Sequence, residues 1–143
     1  CIRKTLIMSD HIKYDTPLLK KIGFKSGQQV LISGAPEMIV QMLTTESIHF
    51  DTSIQTRKSY DLVWLYTNKT AELEDFLKKS RRIIASNGMI WVSWHKKASK
   101  KPTEINEDMI RATALALDLV DVKVASVDDT WSALKMVIPI KSR

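Results

Sequence analysis

Between Tyr60 and His95 the chain places an amphipathic segment between two almost continuously apolar runs, and few architectures accept that order. Asp61 to Thr67 (DLVWLYT) and Met89 to His95 (MIWVSWH) are rich in β-branched and aromatic residues, as expected of strands covered on both faces. Between them Leu73, Phe76, Leu77, Ile83 and Ile84 recur at helical spacing and form one stripe, while Glu72, Glu74, Lys78, Lys79 and Arg82 point elsewhere. The spacing predicts a helix. Thr70 is its expected cap, with Glu72, Glu74 and Asp75 near the positive end of the dipole. Lys79, Arg81 and Arg82 lie near the negative end, and Asn87-Gly88 is the expected stop. Two parallel strands joined by a right-handed helical crossover follow.

A chain of 143 residues is one domain by size and buries about 68–70% of its unfolded surface, so it needs neither metal nor disulfide to hold a core. Cys1 is the only cysteine, which excludes an internal disulfide and fits a reducing, cytoplasmic setting. The longest apolar runs are strand-sized, and CIRKTLIMSD has no hydrophobic region long enough for a signal peptide, so no membrane association is expected. Met8 is a plausible start, with residues 1–7 vector-derived or upstream. Twenty-two Lys and Arg against 16 Asp and Glu give a net charge of +6, which favours anionic partners without proving one.

Residues 1–15 read as an N-terminal extension and 16–143 as a single α/β domain. Thr16 caps a short helix that starts at Pro17 and stops at Gly23, and Gln29 to Ser33 (QVLIS) is a buried strand. Gly34-Ala35-Pro36 turns the chain into a helix from about Glu37 to Leu43, and a strand–glycine–helix junction is where a phosphate or nucleotide is sought first. Ser47 to Asp51 is a weaker strand of undecided direction, because Thr52 to Ser59 is too short for an ordinary crossover. A basic loop (HKKASKKPT) leads to a helix from Asn106 to Leu117. Strands at Val122 to Val127 and Ser132 to Pro139 then form an antiparallel hairpin about Asp128-Asp129-Thr130.

QVLISGAPE, RRIIASNGMIWVSW and VKVASVDDTWSALKMVI together resemble the class I, S-adenosylmethionine-dependent methyltransferase fold. The resemblance implies a Rossmann-like, mostly parallel sheet with helices on both faces and a C-terminal antiparallel hairpin. TPLLKKIGF, YDLVWLYTNKTAELEDFL, WVSWHKKASK and DDTWSALKMVI further resemble a small uncharacterised bacterial family carrying this fold in shortened form. The family pattern has an acid inside the first strand and glycines after it, so that backbone can approach the cofactor. Here Ile32 stands at the acidic position, Gly34 matches the first glycine, and Pro36 and Met38 stand where later glycines would be, filling that space. Asp51 falls near the roughly 20-residue offset of a ribose-binding acid. The segment from Thr52 to Ser59 leaves no room for the elements that complete the adenine side.

The resemblance makes Gly34, Ala35, Asp51, Thr67 and Asn68 the cofactor-binding candidates, and His95, Lys96 and Lys97 the anion-binding candidates. Each has a plainer alternative. Gly34-Ala35-Pro36 serves equally as a strand-to-helix turn, Asp51 as a surface carboxylate, Thr67-Asn68 as a helix start and His95 as a polar strand end. The lysine loop, with Lys100 and Lys101, serves equally as a solvated flexible segment. Lys135 shares a strand face with Trp131, Ala133 and Val137, which points to a buried ion pair with Asp129 or a polar cavity, the plainer alternative being a lysine whose stem packs and whose head reaches water. His11, His49 and His95 lack metal-ligand spacing, and no nucleophile triad assembles.

The residues themselves call for no cofactor, and the resemblance admits S-adenosylmethionine. Catalytic residues are not assignable from sequence. The expectation is a non-catalytic module that binds an unknown small molecule, an anion or a protein. An atypical methyltransferase using Gly34 and Asp51, and a nucleic-acid-binding module, are the alternatives.

Overall fold

The computed structural model describes residues 17–143, so the extension at 1–15, the cap at Thr16 and His11 lie outside the described residues. Leu19 and Ile22 fix α1 (Pro17–Ile22), which ends at Gly23 with φ +103°, a conformation that favours glycine. β1 (Val30–Ser33) is followed by α2 (Glu37–Thr45), whose buried residues are Ile39 and Leu43. β2 (Tyr60–Tyr66), α3 (Thr70–Ile83) and β3 (Ile84–His95) realise the expected crossover, with Leu73, Leu77 and Ser80 on the inward side of α3. A 3₁₀ turn at Lys97–Ser99 leads to α4 (Glu107–Ala116), where Asn106 accepts the Met109 N–H at 2.9 Å as the expected cap. β4 (Val120–Ser126), β5 (Trp131–Val137) and a 3₁₀ turn at Ile140–Ser142 complete the chain.

The five strands form one sheet in the order β1-β2-β3-β5-β4. β1, β2 and β3 are mutually parallel, with Leu31 beside Val63 and Val63 beside Ile90. β5 is inserted antiparallel between β3 and β4. This is the methyltransferase-like topology that the sequence resembles, and it is Rossmann-like in its parallel core.

Alternation along the strands splits the core in two. Leu31, Val63, Leu65, Ile90, Val92, Leu134 and Met136 face α3 and α4, where Leu73, Leu77, Ile110 and Ala114 cover them. Val30, Ile32, Leu62, Trp64, Tyr66, Trp91 and Ala133 face α1 and α2. The second cover is thin, and rings fill it: Phe24 to Trp64 at 6.1 Å, Trp64 to Tyr66 at 5.0 Å, Tyr66 to Trp131 at 4.9 Å and Trp131 to His95 at 4.4 Å. Both fully buried indoles find acceptors: Trp64 Nε1 donates to Ser93 Oγ and Trp91 Nε1 to the Ile22 carbonyl, each at 2.8 Å.

Three local expectations are corrected. Residues 47–51 form no strand; Asp51 alone makes a parallel bridge to Leu31, because the chain must then turn back and pass under β1 to start β2 at Tyr60. The helix stops at Ile83 rather than at Asn87-Gly88. β3 begins at once, and Ala85–Gly88 bulge out between the pairs Ile84–Tyr60 and Met89–Leu62. The cap of α3 is not Thr70: Thr70 is already helical, and its N–H donates to Glu104 Oε1 at 2.9 Å.

Trp91 joins α1 to the middle of the sheet by packing and by its hydrogen bond. Trp91→Ala should therefore cost about 3–5 kcal/mol in urea denaturation, and Trp91→Phe, which keeps most of the apolar volume but strands the Ile22 carbonyl, about 1–2 kcal/mol.

Candidate functional site

Open α/β sheets present ligands to the carboxyl ends of their parallel strands, here Ser33-Gly34, Tyr66-Thr67-Asn68 and His95-Lys96. Gly34 has φ +77°, and a Cβ added there would lie 2.7 Å from the Tyr66 carbonyl oxygen. Its missing side chain admits the neighbouring strand. Pro36 then precedes α2 without a side-chain cap bond, and Met38 is 63% exposed, so it points to solvent instead of filling the space over Gly34 as expected. Ala35 packs against the core beneath α2. A recess of about 300 Å³ lies above Ser33 and Gly34, walled by Tyr66, Glu72, Asp75 and Phe76.

Asp51 stands apart from this recess. Its backbone pairs at the level of Leu31, two positions short of the strand end at Ser33. Its carboxylate accepts a hydrogen bond from the Tyr60 hydroxyl and pairs with Lys58 Nζ at 3.0 Å. Gln55 N–H donates to the same tyrosine oxygen at 3.2 Å, so these contacts latch the 52–59 segment to the start of β2. Asp51 is thus held at the level of Leu31, with its carboxylate engaged by Tyr60 and Lys58.

Thr67 and Asn68 organise the edge internally. Thr67 is buried; its Oγ1 donates to Glu72 Oε1 at 2.6 Å and accepts the Lys69 N–H at 3.2 Å. Asn68 Oδ1 accepts the His95 N–H at 2.8 Å, and its carbonyl accepts the Glu104 N–H at 2.9 Å. These bonds tie the ends of β2 and β3 to the loop before α4.

The basic loop separates the anion candidates. Lys96 turns to the hairpin, where its N–H donates to the Thr130 carbonyl and its Nζ to Ser126 Oγ. His95 and Lys97, joined by Lys100 and Lys101, line a cleft of about 490 Å³ that reaches Asn106. The loop is wound rather than free: Ser99 Oγ donates to the Lys96 carbonyl and accepts the Lys101 N–H, and Lys100 closes the turn at φ +61°. His95 Nδ1 lies 3.0 Å from the Pro102 carbonyl, which can only accept, so Nδ1 carries the proton there. Sequence offered no orienting partner for His95 because this one is a main-chain oxygen.

Lys135 is half-buried and forms no ion pair with Asp129. It sits between Trp91 on β3 and Lys123 on β4, with its stem on the sheet. Burial raises the Tyr66 hydroxyl far above the ordinary tyrosine range, and the nearby Asp128 charge adds to the shift. Among the described residues no three His, Cys, Asp or Glu side chains gather as metal ligands. Among the same residues no helix is long and apolar enough to cross a membrane.

The Tyr60 hydrogen bond, with Lys58 second, holds the Asp51 carboxyl below its usual range, while burial and then Asp51 raise Tyr60. A lowered carboxyl contributes stability that is present above the ordinary carboxylate range and lost as pH falls through its folded value. A raised phenol contributes stability present below the ordinary tyrosine range and lost as pH climbs through its own folded value. Tyr60→Phe should cost about 1–2 kcal/mol at neutral pH, and both Tyr60→Phe and Asp51→Asn should flatten the acid limb of a stability–pH curve measured by urea denaturation.

Among the solved structures similar to this chain are methyltransferases. The chain is similar to the CcbJ methyltransferase from Streptomyces caelestis at TM-score 0.53 and 8% identity, over 85% of this chain and 86% of that one. It is similar to CalO1, a methyltransferase in calicheamicin biosynthesis in its SAH-bound form, at TM-score 0.61 and 12% identity, over 84% of this chain and 52% of that one. It is similar to the glycopeptide N-methyltransferase MtfA complexed with sinefungin at TM-score 0.55 and 8% identity, over 92% and 95%. At such identities the likeness is one of fold. No curated protein sequence matches the chain. Residues 21–140 match the family model described as a protein of unknown function (DUF3052), and the chain belongs to that family.

Proposed function

We propose that this domain keeps the methyltransferase architecture as a scaffold and acts as a non-catalytic binding module, without using S-adenosylmethionine. Two observations support this reading, one at Gly34 and one at Asp51. Gly34 sits so close to the Tyr66 carbonyl that its backbone serves strand packing. The acid in the ribose position, Asp51, is taken up by Tyr60 and Lys58 below the strand ends. The residues present do not fit the cofactor, since a nucleoside needs a free acceptor pair and open main chain on one surface.

One observation favours a second reading, in which the domain is an atypical methyltransferase. The recess over Gly34 is about 300 Å³, at the small end of ligand sites, and Glu72 and Asp75 on its wall would favour a cationic guest.

Titration calorimetry separates the two. Under the favoured reading neither S-adenosylmethionine nor its demethylated product gives a saturable heat at micromolar to millimolar concentration. Saturable micromolar binding that is weakened in Glu72→Gln or Asp51→Ala would overturn it and establish the second.

A further inference from the structure

The cleft between the end of β3 and the start of α4 has the chemistry of a ligand site that the methyltransferase likeness does not supply. Its floor is made by Trp94 and Ile105, both nearly buried, and its rim by Lys97, Lys100 and Lys101. None of these lysines is ion-paired within the described residues. The one acid of the intervening loop, Glu104, is withdrawn to the first turn of α3, where it accepts from the N–H and the hydroxyl of Thr70. Glu107 and Asp108, which follow on α4, are both held by Arg111, which also pairs with Asp121. Carboxylates that would cancel the rim are thus committed elsewhere.

Two further features show that the cleft is built rather than a chance gathering of surface lysines. Its loop is fixed by the Ser99 bridge between Lys96 and Lys101, and Lys100 is held in the left-handed region, a conformation costly for a residue with a Cβ. His95 has its proton on Nδ1, directed to the Pro102 carbonyl, and its ring is steadied against Trp131. In the neutral imidazole this leaves Nε2 as an acceptor on a residue that lines the same cleft as three lysines.

A ligand that engages only the lysines would leave that acceptor to water. A ligand combining a phosphate with hydroxyl groups would satisfy both, the phosphate at the lysines and a hydroxyl at Nε2. A cavity of about 490 Å³ is of small-molecule size. We propose that this cleft binds a small hydroxyl-bearing phosphate monoester of the sugar-phosphate class. This deepens the binding-module reading and is independent of the methionine-derived cofactor, so a failed test here leaves the cofactor titration interpretable by itself.

The test uses the full chain and three probes in titration calorimetry at low salt: ribose 5-phosphate, inorganic phosphate and ribose. Ribose 5-phosphate should bind with a dissociation constant on the order of 0.1 mM, inorganic phosphate roughly tenfold more weakly, and ribose without measurable heat. Lys97→Gln with Lys100→Asn and Lys101→Gln should weaken the ester at least roughly tenfold, asparagine being chosen because it tolerates the left-handed backbone. His95→Ala should remove the preference for the ester over inorganic phosphate while leaving phosphate binding in place, which a merely structural histidine would not do. The proposal is overturned if the ester gives no saturable heat at millimolar concentration, or if the triple variant, folded by circular dichroism, binds it unchanged. It is equally overturned if single-stranded RNA binds more tightly than the ester and competes it off, for the lysines would then form a polyanion surface.

Discussion

A parallel sheet must be covered on both faces, and that requirement shapes the whole chain. On one face α3 and α4 supply the cover with aliphatic stripes. On the other, the helical cover among the described residues is the six residues of α1 and the nine of α2. Two such short helices cannot shield the same area with aliphatic side chains, so the sheet supplies its own bulk: Trp64, Tyr66, Trp91 and Trp131 all stand on the thinly covered face. Each large ring removes more apolar area from water than a leucine, and each indole nitrogen then needs an acceptor, which Ser93 and the Ile22 carbonyl provide. Ser93, fully buried in an apolar strand, meets that need for Trp64.

The same economy governs the carboxyl edge. With no helix and strand between Asp51 and Tyr60, the connecting segment must return directly to the start of β2 and be fastened there, and Asp51 is the residue that fastens it. A carboxylate so engaged is poorly placed to bind a nucleoside. Gly34 follows the same logic: its backbone freedom, which would let a ligand approach, instead lets β2 approach.

How much of this was legible in the sequence depended on the range of the interactions. The β2–α3–β3 unit and the terminal hairpin were readable because apolar periodicity and a short polar turn are local signals. The Asn106 cap was local too, and it is present. By contrast, the cap of α3 comes from Glu104, far along the chain, so the nearby Thr70 looked like the better candidate. The strand expected at residues 47–51 failed because its apolar alternation said nothing of where the chain had to go next. The lysine loop read equally well as solvated. What organises it is a serine hydroxyl, a main-chain carbonyl and the absence of a carboxylate that has gone to cap another helix, none of which has a sequence signature.

Glu104 links these levels. By stabilising the positive end of α3 it holds the loop before α4 against the edge of the sheet, and the same turn of its side chain takes negative charge away from the lysines. Asn68 reinforces the arrangement from the other side, accepting from His95 and from the Glu104 main chain, so β2, β3, α3 and the loop meet at one knot of hydrogen bonds. The edge consequently has two poles: an acidic recess at the end of β1, where Glu72 is turned by Thr67, and a basic cleft at the end of β3. Of the two, the cleft at the end of β3 has the larger volume and its lysines have no ion-pair partner among the described residues, so it is the one suited to an anion.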